Sequence, residues 1–179
     1  VQFEVLVQRE TLCPACGKKF PCYTPEKYLQ LALPPGREVS VEACLQLYFE
    51  DALLERSPCP EHDCAAQFRF GTTTVLHWPR TLVLHLKRWL PTDVPHIYLK
   101  ERRRVVLESL LPPCLPNQPL YNLQAVIMHH GAPRSGHYTA FVRAPTHEWY
   151  HFNDARTPLR VSTDVALNPN EHFGWDTAS

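Results

Sequence analysis

Residues 129–154 carry the side chains best placed to do chemistry together. His137 follows a turn bounded by Gly131 and Gly136 and opens a run that reads as a strand, His137 to Arg143. A second run, Glu148 to Phe152, ends at Asn153-Asp154. If the two runs pair as a hairpin, the base of one faces the tip of the other. His137 then has an amide or a carboxylate within reach of its ring. That is the base-and-orienter half of a nucleophilic site: the orienter fixes the imidazole tautomer, and the base draws a proton from a nucleophile. A lone histidine beside a turn is more often a satisfied structural residue, so the segment by itself does not establish the catalytic reading.

The cysteines suggest a different chemistry. Cys13-Pro-Ala-Cys16-Gly is a tight C-x-x-C knuckle, and Cys59-Pro-Glu-His-Asp-Cys64 is a looser one with His62 inside it. Two such turns suit one tetrahedral zinc, because each offers two soft ligands. In the second knuckle Cys59 pairs with either Cys64 or His62; the sequence leaves both open. A disulfide framework is disfavoured: the chain has 7 cysteines, an odd number, and no basic, apolar and small-residue succession opens it. Reduced thiols without metal are the remaining alternative. Cys44 reads as structural. It lies on the stripe Val41, Cys44, Leu45, Tyr48, Phe49, which has helical spacing.

The surrounding elements must hold these groups. Residues 1–12 read as a strand. A helix is expected near 40–54, capped by Ser40 with Glu42 in its first turn. Phe68 to His77 reads as a strand. Thr81 to Leu86 is a near-continuous apolar run, the pattern of a strand buried on both faces. The basic cluster at 100–104 reads as a solvated turn. Four prolines make 111–119 a loop. Short strands follow at Tyr121 to Met128, His137 to Arg143, Glu148 to Phe152 and Leu159 to Ser162, close enough to favour an antiparallel sheet. Composition sets the outer limits. A chain of 179 residues with 44% hydrophobic and 20% charged residues can bury a core. Lys plus Arg balances Asp plus Glu at 18 each, which gives no general attraction to nucleic acid. The apolar runs are too short and broken to span a bilayer. Val1 is not Met and reads as mid-strand, so the chain is expected to be a fragment.

Three boxes resemble those of the ubiquitin-specific proteases, which are papain-like cysteine deubiquitinases. Ser135-Gly136-His137-Tyr138-Thr139-Ala140 followed by Trp149-Tyr150-His151-Phe152-Asn153-Asp154 is similar to the family's histidine box. Trp78 to Trp89, with Leu84-His85-Leu86-Lys87-Arg88 inside it, resembles its L-P-x-x-L-x-x-H-L-K-R-F strand. Tyr121-Asn-Leu-Gln-Ala-Val-Ile-Met-His129 resembles its Y-x-L-x-A-V-I-x-H. The paired knuckles flanking a helix resemble its zinc-bearing fingers. The resemblance runs from about residue 3 to about residue 165, in family order. It implies an α+β, papain-like fold with a mostly antiparallel β palm, zinc-ribbon-like fingers and few helices. Fingers are expected over about 1–77 and palm over about 78–179, together the C-terminal part of one catalytic domain.

The resemblance implies roles as well. His137 becomes the general base, Asn153 the third member of the triad, and Asp154 an assisting acid. His129 and Gly136 belong to a loop that closes over the ubiquitin C-terminal tail, and Tyr138 lines the channel for that tail. Zinc is implied at Cys13, Cys16, Cys59 and Cys64, with His62 as a substitute for Cys64. The implied reaction is thiol-dependent hydrolysis of the isopeptide bond after ubiquitin's C-terminal Gly. Partners would be ubiquitin or a ubiquitin-like modifier and its conjugates, in cytoplasm or nucleus, with no nucleic acid and no membrane. The Asn168-Pro-Asn stretch resembles the interferon-induced branch that acts on a ubiquitin-like modifier. Two departures are plain. The family's G-N-T-C-Y-like cysteine box is absent, so the nucleophile and its oxyanion donor are expected upstream of Val1, on another chain, or lost; a catalytically dead ubiquitin-binding scaffold is the alternative. The family's closing A-Y-x-L-x-Y strand would begin where residues 168–179 stop.

Overall fold

Short strands dominate, as expected of a chain with 18 prolines and many β-branched and aromatic residues. A computed structural model describes residues 2–132 and 135–169. In chain order its elements are β1 (Val5–Leu12), β2 (Lys19–Glu26), β3 (Leu29–Leu31), β4 (Glu38–Ser40), α1 (Val41–Phe49), β5 (Ala52–Leu54), β6 (Arg69–His77), β7 (Leu84–Leu86), β8 (Trp89–Pro91), β9 (Tyr98–Lys100), β10 (Arg104–Val106), β11 (Leu110–Leu111), β12 (Tyr121–Asn122), β13 (Ala125–Ala132), β14 (Ser135–Arg143), β15 (Trp149–Phe152), β16 (Leu159–Val161) and α2 (Thr163–Leu167). This is an α+β arrangement, antiparallel except for the two-stranded parallel pairs β3–β7 and β4–β10. Among the described residues no helix is long and apolar enough to cross a membrane. The expected closing strand falls on 168–179, largely outside the described residues.

Two compact units divide the chain. One gathers the described residues up to Ala32 with Cys44–Leu86 and Pro113–Pro119. Its sheet has the order β2-β1-β6-β5, with β1 paired antiparallel to both β2 and β6. Strand β2 carries Pro21 and Pro25 and sits at the edge, where a missing N–H costs no ladder bond. Val5, Val7, Leu29, Leu31, Cys44 and Leu45 are fully buried. Arg9 reaches both Glu26 and the Tyr48 hydroxyl, the latter at 2.7 Å, and that hydroxyl donates to Glu26 at 3.0 Å.

The other unit gathers Leu33–Ala43, Lys87–Pro112 and the described residues from Leu120 onward. Its sheet has the order β13-β14-β15-β16. Residues alternate across it, so Met128, Phe141 and Trp149 face one side and bury there with Ala166 of α2. Ser162 caps α2, its hydroxyl accepting from the Val165 N–H at 3.3 Å.

Several expectations need correcting. The helix ends at Phe49 rather than near 54, because Ala52–Leu54 pairs with β6 and Leu54 packs where Gly71 has no side chain. Its start is as expected: the Ser40 hydroxyl accepts from the Ala43 N–H at 3.0 Å. The run from Thr81 to Leu86 is not a strand buried on both faces. Only Leu84–Leu86 forms one, paired with β3 alone among the described residues, and Val83 and His85 are exposed. The basic cluster is not a solvated turn either. Lys100 ends β9, Arg104 starts β10, and Arg103 donates to the carbonyls of Pro34 at 2.5 Å and Gly36 at 3.2 Å while bridging Glu101 at 2.9 Å. Those bonds hold the Glu101 carboxyl below its usual range, chiefly through Arg103.

Candidate functional site

Strands β14 and β15 form the hairpin that the sequence suggested. Phe141 pairs with His151 and Ala140 with Phe152, so the chain leaving β15 heads toward the N-terminal half of β14, which carries His137. Asn153 follows immediately, and Arg156 N donates to its carbonyl at 3.1 Å in the next turn. Asp154 adopts a left-handed φ of 48° there, a conformation short polar residues tolerate. His137 Nε2 lies 2.7 Å from Asn153 Oδ1. The ring therefore donates Nε2–H to the amide oxygen and keeps its Nδ1 lone pair free to accept a proton. Asp154 Oδ2 lies 3.7 Å from that Nδ1. His137 is 44% exposed and Asp154 is 76% exposed, so the ring is reachable and the carboxylate is well hydrated.

Strand β13 completes the surroundings. His129 pairs with Tyr138 and His130 with His137. The His130 ring is within 3.0 Å of Thr139 Oγ1. The His129 ring meets Trp89 at 5.5 Å and Tyr138 at 4.7 Å, centroid to centroid. Burial, then the charges of Lys100 and His130, hold the His129 imidazolium below the usual histidine range. Gly136 is required by space: a Cβ there would stand 2.2 Å from His129 Nε2 and 2.5 Å from the His130 carbonyl oxygen. Gly131 adopts φ 97°, in the left-handed region. Gly136→Ala is therefore expected to displace the His129 ring or the backbone before His137. A misplacement of about 1 Å costs roughly 100-fold in turnover, with a stability loss of about 1–3 kcal/mol from overpacking. Steady-state kinetics and thermal unfolding check the pair of effects.

The four knuckle cysteines converge in the other unit. Their sulfurs all lie within 4.8 Å of one another, with Cys13 to Cys64 at 3.6 Å and Cys16 to Cys59 at 3.8 Å. A tetrahedral zinc with Zn–S of about 2.3 Å requires sulfurs about 3.8 Å apart, so the set fits that ion. Local turns aim them. Gly17 N donates to the Cys13 carbonyl at 2.9 Å with Gly17 at φ 71°, and Cys64 N donates to the Glu61 carbonyl at 3.1 Å. The backbone N–H groups of Cys16 and Ala15 draw the Cys13 thiol down to about 6, which favours a ligating thiolate. Burial pushes the Cys59 thiol up, so that sulfur gives up its proton readily only to a metal. Cys64, not His62, joins the set; the His62 side chain is fully solvent-exposed. Of the other cysteines, Cys44 is buried on α1, Cys22 lies exposed on β2, and Cys114 donates to Gln118 Oε1 at 3.3 Å.

The sequence reading missed Lys100, whose ammonium donates to the His129 carbonyl at 2.7 Å. No local spacing announces that contact.

These features have counterparts in known proteins. Rat ubiquitin carboxyl-terminal hydrolase 2 is 32% identical over 178 residues, covering 93% of this chain and 28% of its own length. The chicken relative of the same name is 32% identical over 163 residues, covering 84% and 45%. Among solved structures, a yeast SAGA DUB module superposes with a TM-score of 0.80 at 22% identity, covering 93% of this chain and 38% of the other. The SAGA DUB module bound to ubiquitin aldehyde gives 0.79 at 20%, covering 93% and 39%. The fold is thus that of these enzymes' domains, and the chain spans less than half the length of the relatives it matches. Residues 2–166 match the ubiquitin carboxyl-terminal hydrolase family, and the chain belongs to that family.

Proposed function

We propose that this chain is the fingers-and-palm portion of a ubiquitin-specific cysteine protease that hydrolyses the isopeptide bond after ubiquitin's C-terminal glycine. The observation that carries the reading is the His137 Nε2 to Asn153 Oδ1 hydrogen bond of 2.7 Å, which leaves Nδ1 open. The nucleophilic cysteine is assigned to the protein outside this segment: four of the seven cysteines here gather into one cluster, and the other three sit on a helix, an edge strand and a proline-rich loop. His137 Nδ1 takes the proton from that thiol as the sulfur attacks the glycine carbonyl carbon. The imidazolium then gives the proton to the departing lysine amine, leaving a thioester. The ring, neutral again, next accepts a proton from the water that attacks the thioester and passes it to the departing thiolate, which frees the glycine carboxylate and restores the thiol. Asn153 orients the ring throughout, and Asp154 stands beside it as the assisting acid, its carboxylate 3.7 Å from Nδ1.

His129 and Gly136 shape the wall before the base, and Tyr138, 64% exposed, offers a ring to an incoming tail. Cys13, Cys16, Cys59 and Cys64 hold a structural zinc, which ties the two knuckles of the fingers together. The fingers correspond to about 1–77 and the palm to about 78–179. A reduced-thiol protein of this family works in cytoplasm or nucleus. That a solved neighbour was captured with ubiquitin aldehyde supports ubiquitin as the ligand.

The test uses the full-length protein and two probes, ubiquitin and the interferon-induced modifier, each bearing a C-terminal electrophile. Covalent labelling by the ubiquitin probe is expected, read as an intact-mass gain of one probe. Labelling by the other probe alone would reassign the substrate. Labelling by neither, with ubiquitin binding retained, would leave the scaffold reading.

A further inference from the structure

The basic cluster at 100–104 supplies one cation that the proposed chemistry does not use. Lys100, at the end of β9, places Nζ 2.7 Å from the His129 carbonyl oxygen, 3.3 Å from the Gly131 carbonyl oxygen and 3.3 Å from His129 Nδ1. The same ammonium stands 5.5 Å from the Trp89 ring centroid. We propose that Lys100 is a positioning residue: it fixes His129 in the tautomer whose Nδ1 accepts and whose Nε2 carries the hydrogen, and so holds that ring against Gly136, next to the base. This rests on the reading of His137 as general base.

The argument is one of donor inventory. An ammonium has three donors and no acceptor, and a neutral imidazole has one nitrogen of each kind. A ring nitrogen 3.3 Å from Lys100 Nζ must therefore accept, and the hydrogen must sit on Nε2. An ionised carboxylate at position 100 could only accept, and would impose the opposite tautomer. The two carbonyl contacts clamp the turn from both sides of His130, so the ring and its backbone are fixed by one group. The consequence reaches His137 through contact rather than charge. His129 Nε2 occupies the space over Gly136, the residue that immediately precedes the base.

The groups facing the His129 ring are Lys100 from β9, Trp89 from β8, Tyr138 from β14 and His130 on its own strand. Removing the cation removes one of the influences that hold the ring neutral, so its titration must move up. A merely structural lysine would lower activity alike at every pH and leave the tautomer alone.

The test takes full-length protein labelled with ¹⁵N-histidine, as wild type, Lys100→Met and Lys100→Arg. Nitrogen shifts report the His129 tautomer and its titration; ubiquitin hydrolysis against pH reports kcat and KM. The wild type is expected to show Nε2–H with a low titration midpoint. Lys100→Met is expected to mix the tautomers, raise the midpoint, and lower kcat/KM about tenfold, more at mildly acidic pH than at alkaline pH. Lys100→Arg keeps the charge and is expected to restore the midpoint and part of the rate. An unchanged tautomer and midpoint in Lys100→Met overturns the proposal, as does a loss uniform across pH. Full activity in a His137→Ala protein would instead remove the reading beneath it, while the tautomer still decides Lys100's role.

Discussion

Replacing His137 with Ala in the full-length protein is expected to lower kcat for ubiquitin cleavage by about 10,000-fold or more. Removing a base that works as a unit with its nucleophile has effects of that order, because the remaining parts cannot move the proton. The ring is half-exposed and outside the buried core of its unit, so folding is expected to survive. KM and ubiquitin binding are expected to change little, which separates lost chemistry from lost structure. Asn153→Ala is expected to cost less, roughly 100-fold, since the base remains but its Nε2–H loses the partner at 2.7 Å that orients it. Asn153→Asp keeps an acceptor in the same place and is expected to retain most activity. Asp154→Asn is expected to cost under about tenfold, because an exposed carboxylate 3.7 Å away is screened by water. Cleavage by His137→Ala at the wild-type rate would remove the assignment of the base.

The ranking of those variants follows from features that the sequence revealed unevenly. The hairpin was legible because its cues are local: alternating strands, a glycine-bounded turn and Asn153 directly after Phe152. The knuckles were legible for the same reason. The choice between Cys64 and His62 was not, because it depends on a turn. The bond from Cys64 N to the Glu61 carbonyl swings the Cys64 sulfur inward and leaves His62 in solvent. The helix was placed at its start, where Ser40 caps it, but not at its end, where pairing of β5 with β6 overrides helical propensity. The parallel pairs β3–β7 and β4–β10 join residues far apart in sequence, so no periodicity could announce them. Lys100 failed for a related reason. A run of five charged residues looks like a solvated surface, and only the tertiary fold shows that two of its members, Lys100 and Arg103, serve as donors to backbone carbonyls.

The largest expected effect on stability lies at the cysteine cluster. Metal analysis of protein purified without chelator is expected to find one zinc per chain, and Cys13→Ala is expected to lose it. Cys13 is fully buried, and its sulfur is one end of the 3.6 Å contact with Cys64. Isolated zinc fingers owe about 10–16 kcal/mol to their metal, because nothing else brings the ligands together. Here something else does. Strand β1 ends at Leu12, one residue before Cys13, and pairs there with Phe70 of β6, which follows the second knuckle closely. The sheet thus delivers the two knuckles near each other before any metal binds. The metal's contribution is accordingly smaller and local to the knuckles, about 3–5 kcal/mol, the upper range of single-residue losses. For a chain of this size each kcal/mol moves the midpoint of thermal unfolding by roughly 2–4 °C, so a drop of about 10 °C is expected for Cys13→Ala. Cys16→Ser should match it although Cys16 is exposed, because a tetrahedral site needs all four ligands. His62→Ala should change neither metal content nor midpoint, since its side chain lies in solvent. Zinc absent from the native protein, or lost on replacing His62, would overturn the four-cysteine site; a midpoint unmoved by Cys13→Ala would show that the sheet alone holds the knuckles.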